Sequence, residues 1–382
     1  MWNRITGLAI GMALAAGGLA AAGSAADASQ PSSLQSQVNA VLRTGDVGVI
    51  AESTSPGRHS YAAAGKADAT TPARAADSFR IGSATKTFTS TVVLQLVAEH
   101  RLSLDDTVEH WLPGVVSGNG NDGSKITVRE LLQHTSGLYD YTGDYPQFAS
   151  IKGYQSLRYT TYPPEQLVAI AMRHHPDFAP GTKWEYSNTN YILAGMIISK
   201  VTGHSWAHEV NQRIIRPLGL RHTYVPGTEP NIEGPHLHGY SAFGSGGQAI
   251  DTTAWNATGG GAAGAIISTT SDLTTFYQAL IGGRLLPHAQ LAEMETTVPA
   301  PEFAAVLPGA RYGLGLMWIP LSCGGGYYSH GGDVPGYSTR DGITPDGQRV
   351  VVAERTGDGD AAGQLTSEHA MDTLVDQQLC SR

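Results

Sequence analysis

The sequence predicts an α+β fold in which helices flank one antiparallel sheet built from both ends of the chain. Strand-like patterns occur in residues 34–100 and return in residues 262–382. Helix- and loop-like segments fill residues 101–261 between them. No proline-, serine- or charge-rich linker divides the chain. We therefore expect one domain over residues 27–382, with a large all-helical insertion in the sheet part and a functional site at their junction.

The elements follow from the pattern in chain order. The first is a helix at Leu34 to Leu42, and the apolar run from Thr87 to Ala98 predicts a longer one. The strand-like segments lie near Val47 to Glu52, His59 to Ala64, Ile266, Tyr312 to Trp318, Gly325 to His330, Tyr337 to Ile343 and Arg349 to Glu354. A helix from Gln364 to Gln378 closes the chain.

The first 26 residues have the pattern of a secretory signal peptide. Arg4 precedes an apolar stretch, Ile5 to Ala22, and a small-residue site for cleavage after Ala26 or Ala28. An uncleaved membrane anchor is the alternative, although glycines interrupt the stretch. We expect a secreted protein with no stable membrane insertion after removal of the signal.

The rest of the chain argues against several classes of partner. The formal net charge of −9 gives no reason to expect nucleic-acid binding. The glycine-rich run Gly259 to Gly264 lacks the preceding strand and the later acidic residue of a dinucleotide site. His204 and His208 stand four apart, but the sequence offers no obvious third metal ligand. We expect a monomer without cofactor or metal.

The segment Ser83 to Lys86 carries most of the functional information. One helical turn separates Ser83 from Lys86, so both side chains share a face at the start of the predicted helix. Backbone N–H groups and the helix dipole favour developing negative charge there. A lysine with a lowered pKa can help to take the hydroxyl proton. The pattern predicts an acyl-transfer nucleophile, with an ordinary capping serine as the alternative.

Two further short motifs support this interpretation. Tyr186 to Asn188 lies on a loop before the apolar helical stretch Tyr191 to Val201. Its phenol could share a proton with the serine and lysine, and the Asn188 amide could orient a substrate carbonyl. His330 to Gly332 ends a strand-like segment, where glycines let a substrate backbone approach closely. A buried turn tyrosine and a hairpin glycine pair are the alternatives.

With these motifs the chain resembles the serine penicillin-recognising hydrolases, which include class C β-lactamases, DD-peptidases, esterases and D-aminopeptidases. Within that family it is most similar to secreted D-alanyl-D-alanine carboxypeptidases/transpeptidases. The similarity runs from about Val38 to Cys380. It includes Phe79 to Lys86, Ile126 to Arg129, His134 to Tyr141, Tyr186 to Asn190 and Tyr312 to Leu316. The resemblance implies a β-lactamase/DD-peptidase-like fold and a serine hydrolase that forms an acyl-enzyme on Ser83 with a small-molecule or peptide substrate.

The resemblance also implies roles for individual residues. Lys86 and Tyr186 form the proton-transfer pair, and either can be the formal base. Asn188 orients the acyl side, and His330 assists protonation of the leaving group through the Tyr186 hydroxyl. The oxyanion hole consists of the backbone N–H groups of Ser83 and Asp333. The substrate-binding positions are Gly331, Gly332, Asp333, Trp255 and Met317, of which Trp255 is either a pocket wall or a core residue.

The two cysteines, Cys323 and Cys380, predict a disulfide, because an isolated pair in an exported chain is usually bonded. The resemblance places cysteines at both positions. Two free thiols are the alternative.

Three positions depart from the carboxypeptidase pattern. In that group an arginine and threonine hydroxyls hold the terminal carboxylate of the substrate, and here the positions are Met317, Gly331 and Asp333. A carboxylate beside Asp333 would be poorly held unless Arg340 points inward. We expect acylation by penicillin or a simple ester, but slow cleavage of D-Ala-D-Ala peptides. The alternatives are a D-aminopeptidase with Asp333 as amine acceptor, an esterase, a β-lactamase, or a slow-turnover binder of penicillin or peptidoglycan fragments.

Overall fold

The computed structural model describes residues 33–244, 247–304, 306–357 and 361–381, without the side chains of 361–364. The predicted signal peptide lies outside these residues. Within them, every helix is too short or too polar to cross a membrane.

The predicted helices and strands occur in the predicted order, but the middle region, predicted as all-helical, also contains two short antiparallel strand pairs within residues 117–122 and 240–251. The helices are α1 (Leu34–Leu42), α2 (Thr85–Ala98), α3 (Val108–Trp111), α4 (Val128–Gln133), α5 (Pro146–Ala149), α6 (Ile151–Leu157), α7 (Pro164–Ala171), α8 (Asn188–Thr202), α9 (Trp206–Val210), α10 (Arg216–Leu218), α11 (Gly261–Gly264), α12 (Thr270–Ile281), α13 (His288–Glu295) and α14 (Ala361–Cys380). The strands are β1 (Gly48–Ser55), β2 (Arg58–Gly65), β3 (Phe79–Arg80), β4 (Ser117–Gly118), β5 (Asn121–Asp122), β6 (Tyr240–Ser241), β7 (Ile250–Asp251), β8 (Ile267–Ser268), β9 (Val298–Pro299), β10 (Arg311–Tyr312), β11 (Met317–Pro320), β12 (Gly326–Ser329), β13 (Gly332–Val334), β14 (Tyr337–Ile343) and β15 (Val350–Thr356).

In the described part of the chain, nine strands form one antiparallel sheet. Its order is β2-β1-β15-β14-β12-β11-β10-β9, and β13 pairs with the start of β14. Next to the edge strand β2, Ala51 of β1 lies between Ala62 of β2 and Ala353 of β15. The first and last strands of the chain are therefore direct neighbours, and the prediction of a sheet built from both ends is confirmed.

Two of the predicted strands differ in detail. The segment predicted at Tyr312 to Trp318 is two short strands, because Gly315 turns the chain between them with a φ of 74°. The strand predicted at Ile266 lies outside the main sheet and pairs with β3, where Phe79 faces Ser268.

Strands β14 and β15 and most of β1 are buried because both faces of the sheet are covered. Val49 and Ala51 of β1 face a core shared with α1 and α14, whereas Ile50 between them faces a second core shared with α2 and α12. Alternating side chains thus enter two cores, which explains the continuous apolar runs Val49 to Ala51 in β1 and Val350 to Ala353 in β15.

Helix α2 passes between the sheet and the helical region. Its threonines are buried, and two of them donate hydrogen bonds to chain segments on either side. Thr87 donates to the carbonyl of Gly315 at 2.8 Å, and Thr89 donates to that of Ala262 at 2.8 Å. These bonds hold the start of α2 at the junction of the two regions.

Cys323 and Cys380 form a disulfide, with Cα atoms 5.9 Å apart, which confirms the predicted pairing. The bond joins the turn between β11 and β12 to the end of α14. The same turn is also held by Asp376, which accepts hydrogen bonds from the backbone N–H and the hydroxyl of Ser322.

Replacement of both cysteines, Cys323→Ala with Cys380→Ala, should lower the free energy of unfolding by about 2–4 kcal/mol, because the crosslink restricts the unfolded chain. Urea unfolding with and without a reductant measures the effect. The reductant should destabilise the wild type and leave the double variant unchanged. Equal stability of the two proteins under oxidising conditions would contradict the prediction.

Candidate active site

Ser83 lies in a 3-10 turn, Gly82–Ala84, immediately before α2. Gly82 has a φ of 51°, which favours glycine. Strand β13 packs tightly against this turn: a Cβ on Gly332 would lie 2.4 Å from the nitrogen of Ser83, and one on Gly82 would lie 2.8 Å from that of Asp333. Because Gly82 and Gly332 have no side chains, the backbones that carry the nitrogens of Ser83 and Asp333 can pack against each other.

The Lys86 side chain is fully buried one turn after Ser83. Its Nζ lies 2.8 Å from Ser83 Oγ, 2.7 Å from Asn188 Oδ1 and 2.9 Å from the carbonyl oxygen of Ala263. Burial lowers the pKa of Lys86 to about 7, against a smaller opposing effect of Asp140. A neutral amine can donate to the amide and the carbonyl and keep its lone pair for the serine proton.

Tyr186 approaches from the loop before α8, and its hydroxyl lies 2.8 Å from Ser83 Oγ. Burial raises the pKa of Tyr186 well above its usual value, so the phenol keeps its proton at neutral pH. The ring packs on the His134 ring at a centroid distance of 4.3 Å. His134 Nδ1 in turn accepts a hydrogen bond from the backbone N–H of Ser187. The structure therefore brings Ser83, Lys86 and Tyr186 together, as the motifs predicted.

Asn188 is the first residue of α8, and its amide connects Lys86 to a residue that the sequence analysis left without a role. Asn188 Nδ2 donates to Asp140 Oδ2 at 2.9 Å, while the backbone N–H of Thr142 donates to Asp140 Oδ1 at 3.0 Å. The carboxylate accepts only, so it fixes which end of the amide faces Lys86. Asp140 lies within the His134 to Tyr141 motif, and this position could have identified it as a site residue from the sequence.

His330 does not follow the predicted route through Tyr186. Its Nε2 lies 2.7 Å from the Tyr312 hydroxyl, and its Nδ1 lies 2.8 Å from the carbonyl oxygen of Gly331. Burial and the Lys86 charge lower the pKa of His330 to about 3. A neutral ring with these two partners donates to Gly331 and accepts from Tyr312. These contacts do not support the predicted role of His330 in protonating the leaving group. We infer instead that His330 orients the end of β12.

Trp255 and Met317 are core residues and not pocket walls. Trp255 is 2% exposed, packs on Phe148 and lies under the Arg80 guanidinium. Met317 is 5% exposed and belongs to the core between the sheet and α14. Their side chains are covered because neighbouring segments far away in sequence pack over them.

The Arg340 side chain contacts Asp333 and two carboxylates of α14. It contacts Asp333 at 3.2 Å, Asp372 at 3.6 Å and Glu368 at 4.0 Å. Burial opposes ionisation of Asp333, but Arg340 and the Ser338 hydroxyl outweigh it and lower the pKa of this carboxyl. Asp333 is thus already paired with Arg340 and Ser338, which argues against the expectation that it accepts a substrate amine.

Comparison with known proteins gives a consistent result. The β-lactamase family model matches residues 43–370. Penicillin-binding protein 4* of Bacillus subtilis (strain 168) is 29% identical over 272 residues, which cover 68% of this chain and 56% of that relative's length.

Two similar solved structures extend the comparison over most of the chain. A D-stereospecific amidohydrolase from Streptomyces sp. has a TM-score of 0.80 and 46% identity, covering 88% of this chain and 97% of its own. The D-amino acid amidase from Ochrobactrum anthropi SV3, solved with L-phenylalanine amide, has a TM-score of 0.78 and 28% identity, covering 91% and 97%. The predicted family and fold are confirmed, and the chain belongs to the β-lactamase family as a serine hydrolase of that family.

Proposed function

We propose that this protein is a secreted, monomeric amidohydrolase that cleaves amides of D-amino acids with a free α-amino group. The names of the two similar structures support the substrate class. The charge distribution around Ser83 supports the preference for an amine over a carboxylate, and it is the observation on which the proposal rests.

The cation nearest to the glycine strand is unsuited to a substrate carboxylate. Arg340 is bound to Asp333, Glu368 and Asp372. To reach a substrate it would have to leave three carboxylates in a buried setting, which is costly. A peptide ending in D-Ala-D-Ala therefore gains little at this position.

An acidic group lies beside the backbone of Tyr186, and we place it at the rim of the site because the Tyr186 hydroxyl contacts Ser83. Glu302 lies beside Tyr186, with Oε2 3.4 Å from its backbone nitrogen. Partial burial and nearby carboxylates raise the pKa of Glu302 to about 7. These carboxylates are Glu185, Asp140 and Asp177. Mutual repulsion of this kind is relieved by a bound cation, and a substrate ammonium supplies one.

Acylation begins with attack of Ser83 Oγ on the amide carbon. Neutral Lys86 takes the hydroxyl proton as the C–O bond forms. The carbonyl oxygen becomes an oxyanion and accepts hydrogen bonds from the backbone N–H groups of Ser83 and Asp333. Asn188 holds the acyl side of the substrate.

Collapse of the tetrahedral intermediate breaks the C–N bond and leaves an ester on Ser83. The leaving nitrogen takes a proton from the Tyr186 hydroxyl. The protonated Lys86 amine then gives its proton to the Tyr186 oxygen, so that both groups return to their starting state. Water then adds to the ester, gives its proton to the same pair, and releases the D-amino acid with the serine hydroxyl restored.

A second candidate is a slow-turnover penicillin binder, which the match to penicillin-binding protein 4* favours. Both candidates form an acyl-enzyme with penicillin. They differ in its lifetime, which intact-protein mass spectrometry measures after removal of free penicillin.

A substrate panel separates amine from carboxylate recognition. The D-amino acid amide should be cleaved at least tenfold faster, in kcat/KM, than its N-acetyl form, its L-enantiomer and an acyl-D-Ala-D-Ala peptide, in line with the loss of one charge-assisted contact. Ser83→Ala should abolish all four activities. Release of D-alanine from the peptide at a comparable rate would refute the proposed specificity.

Glu302→Gln should lower kcat/KM for the free-amine amide by about tenfold, because one charge at the rim is lost. The N-acetylated amide should be almost unaffected, since it carries no ammonium. Glu233→Gln, at an exposed acidic residue, is the control and should leave kcat/KM unchanged for both substrates. Equal losses for both substrates would assign Glu302 a structural role instead.

The pH profile should follow Lys86. With a p-nitrophenyl ester that has no titrating group, kcat/KM should fall about tenfold per unit below pH 7, as the amine becomes protonated. Asp140→Asn removes a charge that raises the pKa of Lys86, so the acidic limb should move to lower pH. Asp144→Asn, in the same loop but exposed to solvent, should leave it in place. An unmoved limb in Asp140→Asn would contradict this assignment.

A further inference from the structure

A cluster of metal-ligating side chains lies at the start of α9, outside the site described above. His204 and His208 are exposed on either side of the N-cap residue Ser205, with ring centroids 4.5 Å apart. The sequence offered no third ligand for this pair, but the structure adds Glu209. One potential ligand atom from each of the three residues lies within 4.8 Å of the others.

The donor set favours a first-row transition metal over magnesium or calcium. Two imidazole nitrogens and one carboxylate oxygen suit Zn²⁺, which takes nitrogen and oxygen ligands at about 2.0–2.2 Å. In a tetrahedral site such atoms lie about 3.3 Å apart, so small rotations of two exposed imidazoles are sufficient. The remaining coordination position is open to water.

Glu209 is held in place before any ion binds. Its side chain is 7% exposed, and Oε2 accepts a hydrogen bond from Arg213 Nε. Arg213 also pairs with Glu99, at the end of α2. Arg213 thus lies between two carboxylates, and Arg101 is a second cation beside Glu99, 3.5 Å from Oε2. A carboxylate has lone pairs for an ion pair and a metal bond together.

The position of the cluster gives an ion a structural consequence. Trp206, between the two histidines, donates from Nε1 to Thr89 Oγ1 of α2 at 2.9 Å. The side chain of Trp206 also lies beside Gly195 of α8. An ion that bridges His204 and His208 would clamp the first turn of α9, the most costly part of a helix to form. The two helices α2 and α8 carry Lys86 and Asn188.

We propose that His204, His208 and Glu209 bind one Zn²⁺ ion that stabilises the contact of α9 with α2 and α8. The ion takes no part in hydrolysis, because Ser83, Lys86, Tyr186 and two backbone N–H groups carry the proposed steps. Its effect is on stability, as expected for a ligand that binds the folded chain only.

Zinc binding to the protein, purified without a histidine tag and treated with chelator, tests the proposal. Equilibrium dialysis with ZnCl₂ should give one ion per chain with a micromolar dissociation constant, and zinc should raise the unfolding temperature. His204→Asn and His208→Asn should each weaken binding by about tenfold or more and abolish the shift. His222→Asn, at an exposed histidine elsewhere, is the matched control and should behave as the wild type. Ester hydrolysis should be unchanged by the chelator.

Two results would overturn the proposal. The first is the absence of zinc binding at about 100 μM ZnCl₂. This concentration is about 100-fold above a micromolar dissociation constant, so the proposed site would be saturated. The second is equal affinity of the wild type and a His204→Asn/His208→Asn double variant, which would place the ion elsewhere. Folding of the variants is checked by their unfolding temperature without zinc.

Discussion

The burial of Lys86 is the constraint on which the rest of the site depends. A primary amine removed from water must either lose its proton or gain an anionic partner. Here the nearest carboxylate, Asp140, is one amide away, and the direct partners of Nζ are a hydroxyl, an amide oxygen and a carbonyl oxygen. This arrangement keeps the amine available as a base, and it requires that α2, α8 and the Ala263 carbonyl be held in fixed relation.

The same fold separates two electrostatic environments on either side of one serine. On the β13 side, Arg340 and its three carboxylates form a closed network that offers little to a substrate. On the Tyr186 side, Glu302 and its acidic neighbours repel one another. Relatives with the same nucleophile can therefore differ in substrate through the pairing of a few charged side chains at the rim.

Local periodicity predicted those parts of the molecule that depend on neighbours along the chain. Ser83 and Lys86 share a helix face, and β14 runs over Tyr337–Ile343 as its pattern indicated. Contacts between distant segments were less predictable. The link from Asn188 to Asp140 spans 48 residues, and the burial of Trp255 depends on packing with Phe148. The direction of the Arg340 side chain depends on the carboxylates of α14. The sequence pattern of α14 does not indicate that it contacts Arg340.

Pairing of β1 with β15 joins residues that are 308 positions apart, as between Gly48 and Thr356. Such distant pairing makes sheet formation slow compared with folding of the helical insertion. Strand β13, which supplies the Asp333 nitrogen, is anchored through β14 to that same late pair. A partly folded chain in which β15 is not yet paired therefore lacks a fixed position for the Asp333 nitrogen, and we expect it to be inactive.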